Sequence, residues 1–395
     1  MLLKNYSIYT CDEFPFERMC QLLLSKIDIG MNVLKIVFFG SPKNNKEYLS
    51  QLDMLHRCTK KHFPDFPPLI SYVSQRPLIG ALNAEVLSYE TNETISFTCG
   101  KNYLVIYDGI SRELITGGIL PPDLSASFLV QSNAVFNQIE DILIRENFKI
   151  NSIFRQWNYI EHICVCDGEN QHYQDFNDSR SRFYAKADWS SGYPAATGIG
   201  TEHGGIMVEF IALQEEGLVN VALDNPLQIA AHKYSQDVLL GAEDPCLKQR
   251  STPKFERARV LGLHDQLIVY ISGTAAIRGE TSLIADDITE QTHATMQNID
   301  YLISNDNYRG ESISRGYKML RIYVKNFSHL EEVRNYMKVN YPEPIKIYIC
   351  ADICRDELLI EIEGIAEINF NPAVWSEREE SNFNLEKEVY NTLII

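Results

Sequence analysis

Two stretches of this sequence, 160 residues apart, carry the same helical pattern. LVQSNAVFNQIEDIL places Val135, Ile139, Ile142 and Leu143 at the spacing of a helix that buries one face, and ITEQTHATMQNIDYLI places Thr295, Ile299, Leu302 and Ile303 likewise. Each is followed by a strand-like segment holding one arginine, SIFRQWNYI and KMLRIYV, and then by a polar, helix-compatible segment holding another, YQDFNDSRSRFY and FSHLEEVRNYMK. An alternating strand with a glutamate closes each half, GIMVEFIAL and ELLIEIEGIA. Arg180 precedes Arg334 by 154 residues and Glu209 precedes Glu361 by 152, so three elements keep nearly one offset. This is a duplicated β/α unit. Strands lead, then come a helix, a strand, a helix and two strands, which places the fold in the α+β class, with mixed sheets and helices packed on one face.

The first ~90 residues mix apolar segments such as VLKIVFFG with proline-punctuated loops, and no chemical motif is legible there. The expected division is an N-terminal domain, residues 1–245, containing a degenerate copy of the unit, and a C-terminal domain, 246–395, containing the clearer copy.

One strand of the second copy is unusual. In CRDELLIEIEGIAE, Leu358, Ile360 and Ile362 point one way, while Leu359, Glu361 and Glu363 point the other. For an arbitrary strand the carboxylates mark the face that meets water. The cations elsewhere in the chain compete with that reading. The net charge is −17, which disfavours nucleic acid and anionic membranes, and an anionic small substrate would need cations gathered at one spot. Arg180, Lys233 in AAHKYS, and Arg334 are the cations singled out, beside the acids Glu361 and Glu363.

Other patterns have plainer explanations. YPAATGIGTEHGG runs into a strand and not a helix, so its glycines fit close backbone approach in a tight turn better than phosphate binding. HICVC, read as a strand, puts His162, Cys164 and Cys166 on one face as a possible zinc set, but buried thiols and a hydrogen-bonded histidine are the commoner outcome, so no metal is expected. No GxSxG elbow is present. The nine cysteines form no CxxC pair and fit reduced thiols, and the start of the chain meets acidic residues too early for a secretory signal. With no long apolar run, a cytoplasmic location away from membranes is expected.

At FRQWNYI, FNDSR, YPAATGIG, NPLQIAAHKYS, PKFERA, ISGTAAIRGE, EQTHATMQNI and CRDELLIEIEG, in that order from Phe154 to Ala366, the chain resembles the chorismatases, whose C-terminal domain is similar to the small Rid (YjgF-type) proteins. The resemblance implies two Rid-like units in tandem and an enzyme that releases pyruvate from chorismate without a cofactor. It implies Glu361 as the catalytic acid/base, and Arg180 and Arg334 as holders of the substrate carboxylates. Lys233 stands where the family places an arginine, and Tyr193, which opens YPAATGIG, is implied in substrate binding. Cys354 and Ala275 fall where members with different products differ. A cysteine at the first resembles the type forming 3-hydroxybenzoate, which is favoured because Cys354 lies seven residues before Glu361, and an alanine at the second is more like the type hydrolysing chorismate to a dihydroxycyclohexadiene carboxylate.

Two alternatives remain at this level. One is a Rid-type enamine or imine deaminase, weakened because the arginine of its PAR turn is replaced by Lys346 in PIK. The other is a non-catalytic binder of a carboxylated metabolite. Rid-like units favour trimers, so a monomer that satisfies the contact internally and a homotrimer are both open.

Overall fold

The computed structural model of the protein describes residues 3–369, apart from 91–94, 215–218, 244–247, 264–265, 284–286, 309–311 and 313. In chain order the first elements are β1 Leu3–Cys11, α1 Phe16–Leu24, β2 Val33–Gly40, α2 Asn45–His62, β3 Leu69–Ser74 and β4 Leu82–Glu90. There follow β5 Ser96–Gly100, β6 Tyr103–Tyr107, β7 Arg112–Thr116, α3 Phe128–Arg145, β8 Ile153–Glu161, the ribbon β9 Cys166–Asp167 and β10 Asn170–Gln171, α4 His172–Tyr184, β11 Ala195–Thr201 and β12 Ile206–Gln214. The last are β13 Val219–Leu223, β14 Ala258–Leu263, β15 Gln266–Ala275, the ribbon β16 Ile277–Arg278 and β17 Thr281–Ser282, α5 Ile288–Leu302, α6 Asn305–Tyr308, β18 Ser314–Val324, α7 Leu330–Asn340, β19 Ile345–Cys350 and β20 Ile360–Asn369.

These strands build three large sheets. Two follow one path, β5-β6-β7-β12-β8-β11 and β13-β14-β15-β20-β18-β19. The helical and strand repeat is therefore real, with α3 and α4 in one copy answering α5 and α7 in the other. The remaining sheet, β1-β4-β2-β3, is the same path from its third strand onward, with the same antiparallel, antiparallel, parallel order of pairings. The first ~90 residues, in which no motif is legible, are thus a further unit lacking two leading strands, so that the chain holds three, numbered first to third from the N-terminus. The expected division at residue 245 falls outside the described residues; β13 before it pairs with β14 after it, so the last unit begins earlier.

Each unit packs its two long helices on one face of its sheet over a separate apolar core. The opposite faces of the three sheets meet in the middle, where clusters draw residues from all three units, such as Phe39, Met207 and Tyr323 in one and Leu87, Ile211 and Tyr270 in another. A strand covered on both sides reads as a continuous apolar run, which is why every residue of VLKIVFFG is buried, including Lys35.

That lysine belongs to a cycle of ion pairs between units. Lys35 of the first meets Glu209 of the second at 2.9 Å, Arg155 of the second meets Glu363 of the third, and Arg321 of the third meets Glu85 of the first at 2.6 Å. The cations of all three units also surround one ring: Arg155, Lys35 and Arg321 lie 4.5, 5.3 and 5.7 Å from the centroid of Trp157. Buried charges persist only when paired, so these contacts fix how the units dock.

Candidate active site

The carboxylates of β20 do not meet water. Glu361 is 5% exposed and Glu363 is 3% exposed. They lie where β15 and β20 of the third unit face β8 and β11 of the second. Glu363 is held from four sides: it accepts from Arg155, from the Thr197 hydroxyl, from Tyr323 at 2.8 Å and from Arg321 at 3.1 Å. Burial pushes its carboxyl up, but Arg155 and Arg321 together with these hydrogen bonds outweigh that and hold it below the ordinary glutamate range.

Glu361, two residues away, is the reverse case. Burial, reinforced by the charge of Glu363, pushes its carboxyl up to about 8, against the weaker pull of Arg155 and Arg257. It is opposite Ala275 on β15 and Tyr323 on β18, and it reaches into a cleft of about 700 Å³ including its open mouth. Its place depends on Gly273 in SGTAAI, because a Cβ there would lie 2.1 Å from Glu361 Oε1. Gly273 sits where the β15–β20 register slips between Ile271 and Thr274, and its N–H donates to Thr197 Oγ1 at 3.0 Å. The bulge thus ties β15, the strand paired with the acid's own, to the second unit.

The cleft is walled by α4 of the second unit, through Tyr173 and Asn177, by Tyr234 and Arg257 from the long connection between β13 and β14, and by Cys354 and Arg355 from the turn before β20. Arg257 is 3% exposed, donates to Ile229 O at 2.6 Å and to the Tyr234 hydroxyl at 2.9 Å, and keeps a buried Nε with no partner among the described residues. Arg355 donates to Glu280 O and Ser282 Oγ at 2.9 and 3.0 Å. Both guanidinium groups lie within 5.8 Å of the Tyr234 ring. Burial, followed by the nearness of Glu361, pushes the Cys354 thiol up to about 12, so it is neutral at pH 7.

The residues singled out from sequence divide into two groups. Glu361, Cys354 and Ala275 share the cleft. Arg180 is 1% exposed on α4 and donates to the lining residue Asn177 at Oδ1, 2.5 Å, without lining the cleft itself. Arg334 is a correction: on α7 it is 44% exposed, pairs with Glu331 at 2.9 Å and does not line the cleft. The repeat preserves its place along the chain, but α7 backs the third sheet on its outer side, whereas α4 borders the neighbouring unit's acid. Lys233 is exposed, one residue before the lining Tyr234. Tyr193 packs in a neighbouring aromatic group with Trp189 and His232, its ring tilted against theirs at 5.3 and 5.4 Å, outside the lining. Arg257 in PKFERA and Arg355 in CRDELL are the cations that reach the cleft, and they were legible only as parts of motifs.

The other patterns resolve locally. HICVC is not a strand: residues 162–164 form a turn and Cys164 Sγ donates to Ile353 O at 2.9 Å. Gly204 and Gly205 have φ of 103° and 62°, as a tight turn requires. Lys346 is tied to Pro342 O and Pro344 O, away from the cleft. Among the described residues no helix is long and apolar enough to cross a membrane.

Comparison with known proteins bears on the family and the fold. Residues 111–212 match the family described as chorismatase FkbO/Hyg5-like, N-terminal, and residues 258–368 match the family described as endoribonuclease L-PSP. A 3-hydroxybenzoate synthase of Streptomyces hygroscopicus is 29% identical over 262 residues, covering 63% of this chain and 72% of that protein. A chorismatase of Streptomyces rapamycinicus is 30% identical over 243 residues, covering 59% of this chain and 68% of that protein. A crystal structure of a chorismatase superposes with a TM-score of 0.66 at 19% identity, covering 92% of this chain and 98% of that one, and so shares the fold.

Proposed function

The chain belongs to the chorismatase family, and we propose that it converts chorismate to pyruvate and 3-hydroxybenzoate with Glu361 as the proton donor. The observation that carries the reading is a buried carboxyl beside a second acid, an environment that pushes its pKa up to about 8, in a cleft that also presents two arginines.

Chorismate is a dianion with an enol ether, and a chain of net charge −17 cannot attract it by its overall field. Arg257 and Arg355, with Arg180 bonded to Asn177, supply placed charge instead and orient the two carboxylates. Glu361 then gives its proton to the terminal methylene carbon of the enol ether, leaving an oxocarbenium ion. A carboxyl with a pKa near the working pH suits this, because it is both mostly protonated and a usable acid.

Two outcomes follow from the cation. If the ring's own hydroxyl displaces the pyruvyl group, aromatisation gives 3-hydroxybenzoate and pyruvate with no net consumption of water. If water attacks the pyruvyl carbon, one water is incorporated and the product is a dihydroxycyclohexadiene carboxylate. Glu361 takes a proton back in either case. The neutral Cys354 thiol stands beside the acid in a wall that also contains Val238, Leu239 and Phe255, an apolar lining that favours the internal hydroxyl over water. The substrate and the cytoplasmic setting belong to the same reading.

Pyruvate release from chorismate, read by coupled lactate dehydrogenase, tests the reaction. Chromatography of the ring product then separates the two outcomes. No pyruvate from folded protein would remove the reading, and diene without aromatic product would replace its second half.

A further inference from the structure

The three units place an acid on one equivalent rung. In the pairing of the final strand with its neighbour, Glu85 faces Val37, Glu209 faces Trp157 and Glu361 faces Tyr323. Two residues further along the same face stand Leu87, Ile211 and Glu363, opposite the cations Lys35, Arg155 and Arg321. Each cation reaches across to the next unit in the cycle. Lys35 takes Glu209 and Arg321 takes Glu85, so the pattern assigns Arg155 to Glu361. Arg155 instead binds Glu363, which stands where the other units have an aliphatic side chain. Among the described residues Glu361 forms no ion pair.

We propose that Glu363 is a positioning residue for the reaction: it diverts the guanidinium of Arg155 that the repeat would otherwise deliver to Glu361, and so leaves that acid free to carry a proton. The inference rests on Glu361 being the proton donor. The groups facing Glu363 are Arg155 from β8, Thr197 from β11, and Arg321 and Tyr323 from β18. Those around Glu361 are Glu363 on its own strand, Arg155, Arg257, Cys354 and Tyr173, with Tyr234 and Arg355 also on the cleft wall. Arg257 already donates to Ile229 O and Tyr234, and Arg155 is the cation that the cycle of pairs between units directs at this rung.

The test compares Glu363→Gln with the paired variant Arg155→Met, Glu363→Leu, which removes both charges together and spares the interior an unpaired guanidinium. The titration of Glu361 is followed by ¹³C NMR of its side-chain carboxyl, assigned with Glu361→Gln, alongside the pH dependence of pyruvate release. In Glu363→Gln, Arg155 turns to Glu361 and the titration falls by about two units, so activity at pH 7 drops about tenfold and recovers toward pH 5. In the paired variant it stays within about one unit of the parent protein. A uniform loss of rate with an unmoved titration in Glu363→Gln would overturn the proposal. So would a paired variant that titrates as low as the single one, because Glu363 would then act only by its own charge. If the single variant does not fold, the paired variant decides alone. Absence of pyruvate from the parent protein would remove the proposed function, while the NMR titrations would still judge the diversion.

Discussion

Glu209 and Glu361 occupy the same rung of two copies of one unit, yet one is a structural ion and the other a chemical acid. Glu209 is fully buried with Lys35 at 2.9 Å and helps dock the first unit on the second. Glu361 is nearly as buried but faces a cleft and has lost its cation to a neighbour. Burial alone therefore does not make an active-site carboxyl. What separates the two is whether the adjoining unit delivers a counter-ion, and a single Glu363 in place of an aliphatic residue changes that.

The largest expected effect comes from exchanging the chemistry at these two positions. Glu361→Gln removes the transferable proton and should lower pyruvate release by about 10²–10⁴-fold with chorismate still bound, read by coupled assay and calorimetry. Glu209→Gln should leave turnover per folded molecule near that of the parent and cost stability instead, about 3–5 kcal/mol in denaturant unfolding, because Lys35 is left buried and unpaired. Equal losses of turnover in both would erase the distinction.

The cations of the cleft sharpen the comparison next. Arg257→Met should raise KM for chorismate and lower kcat/KM by about 10–100-fold, the cost of a lost charge-assisted contact. Arg334→Ala, on the exposed face of α7, should change neither by more than about twofold, since its pair with Glu331 is a surface pair. A large Arg334 effect would mean that the third unit's outer helix contributes to catalysis after all.

Which of these residues could be read in advance follows from where each lies. The two complete units and the acid were legible because helix, arginine strand and glutamate strand recur at nearly constant offset. The first unit escaped notice because it lacks the two leading strands and replaces the strand arginine with Lys35, so no shared motif survives. Arg257 and Arg355 lie in connections with no periodicity, and only their places in PKFERA and CRDELLIEIEG mark them. Arg334 lies outside the cleft lining for a different reason: a repeat offset preserves order along the chain but not which neighbour a helix faces. Ala275 and Cys354 both reach the cleft, so their disagreement over product is a matter of one pocket.

Gly273 separates the two acids more gently. A methyl group there would collide with Glu361 Oε1 and with Thr197 Cγ2 at 2.9 Å, while among the described glycines none has Glu209 as such a neighbour. Gly273→Ala should therefore displace the Glu361 carboxyl and reduce kcat by about tenfold or more with the fold retained, as misplacement of a reacting group does. A crystal structure of the variant with Glu361 unmoved would refute this account of the bulge.

The last effect is on stability, and its sign distinguishes the two rungs. Glu361 keeps its proton to about pH 8 in the folded protein, whereas an unfolded glutamate releases it near the ordinary value. Between those limits the folded state binds more protons than the unfolded one, so this group makes stability fall as pH rises, and the loss is complete above about 8. Glu361→Gln removes that penalty. The variant should gain about 1–3 kcal/mol over the parent at pH 8.5 and little at pH 4.5, measured by urea unfolding. Activity of the parent should decline across the same upper limb, as the acid form of Glu361 is lost. A parent protein whose turnover is flat from pH 6 to pH 9, with no stability gained by the glutamine variant, would remove Glu361 as the proton donor and leave it a buried structural carboxylate like Glu209, its counterpart on the second unit's rung, which pairs with Lys35.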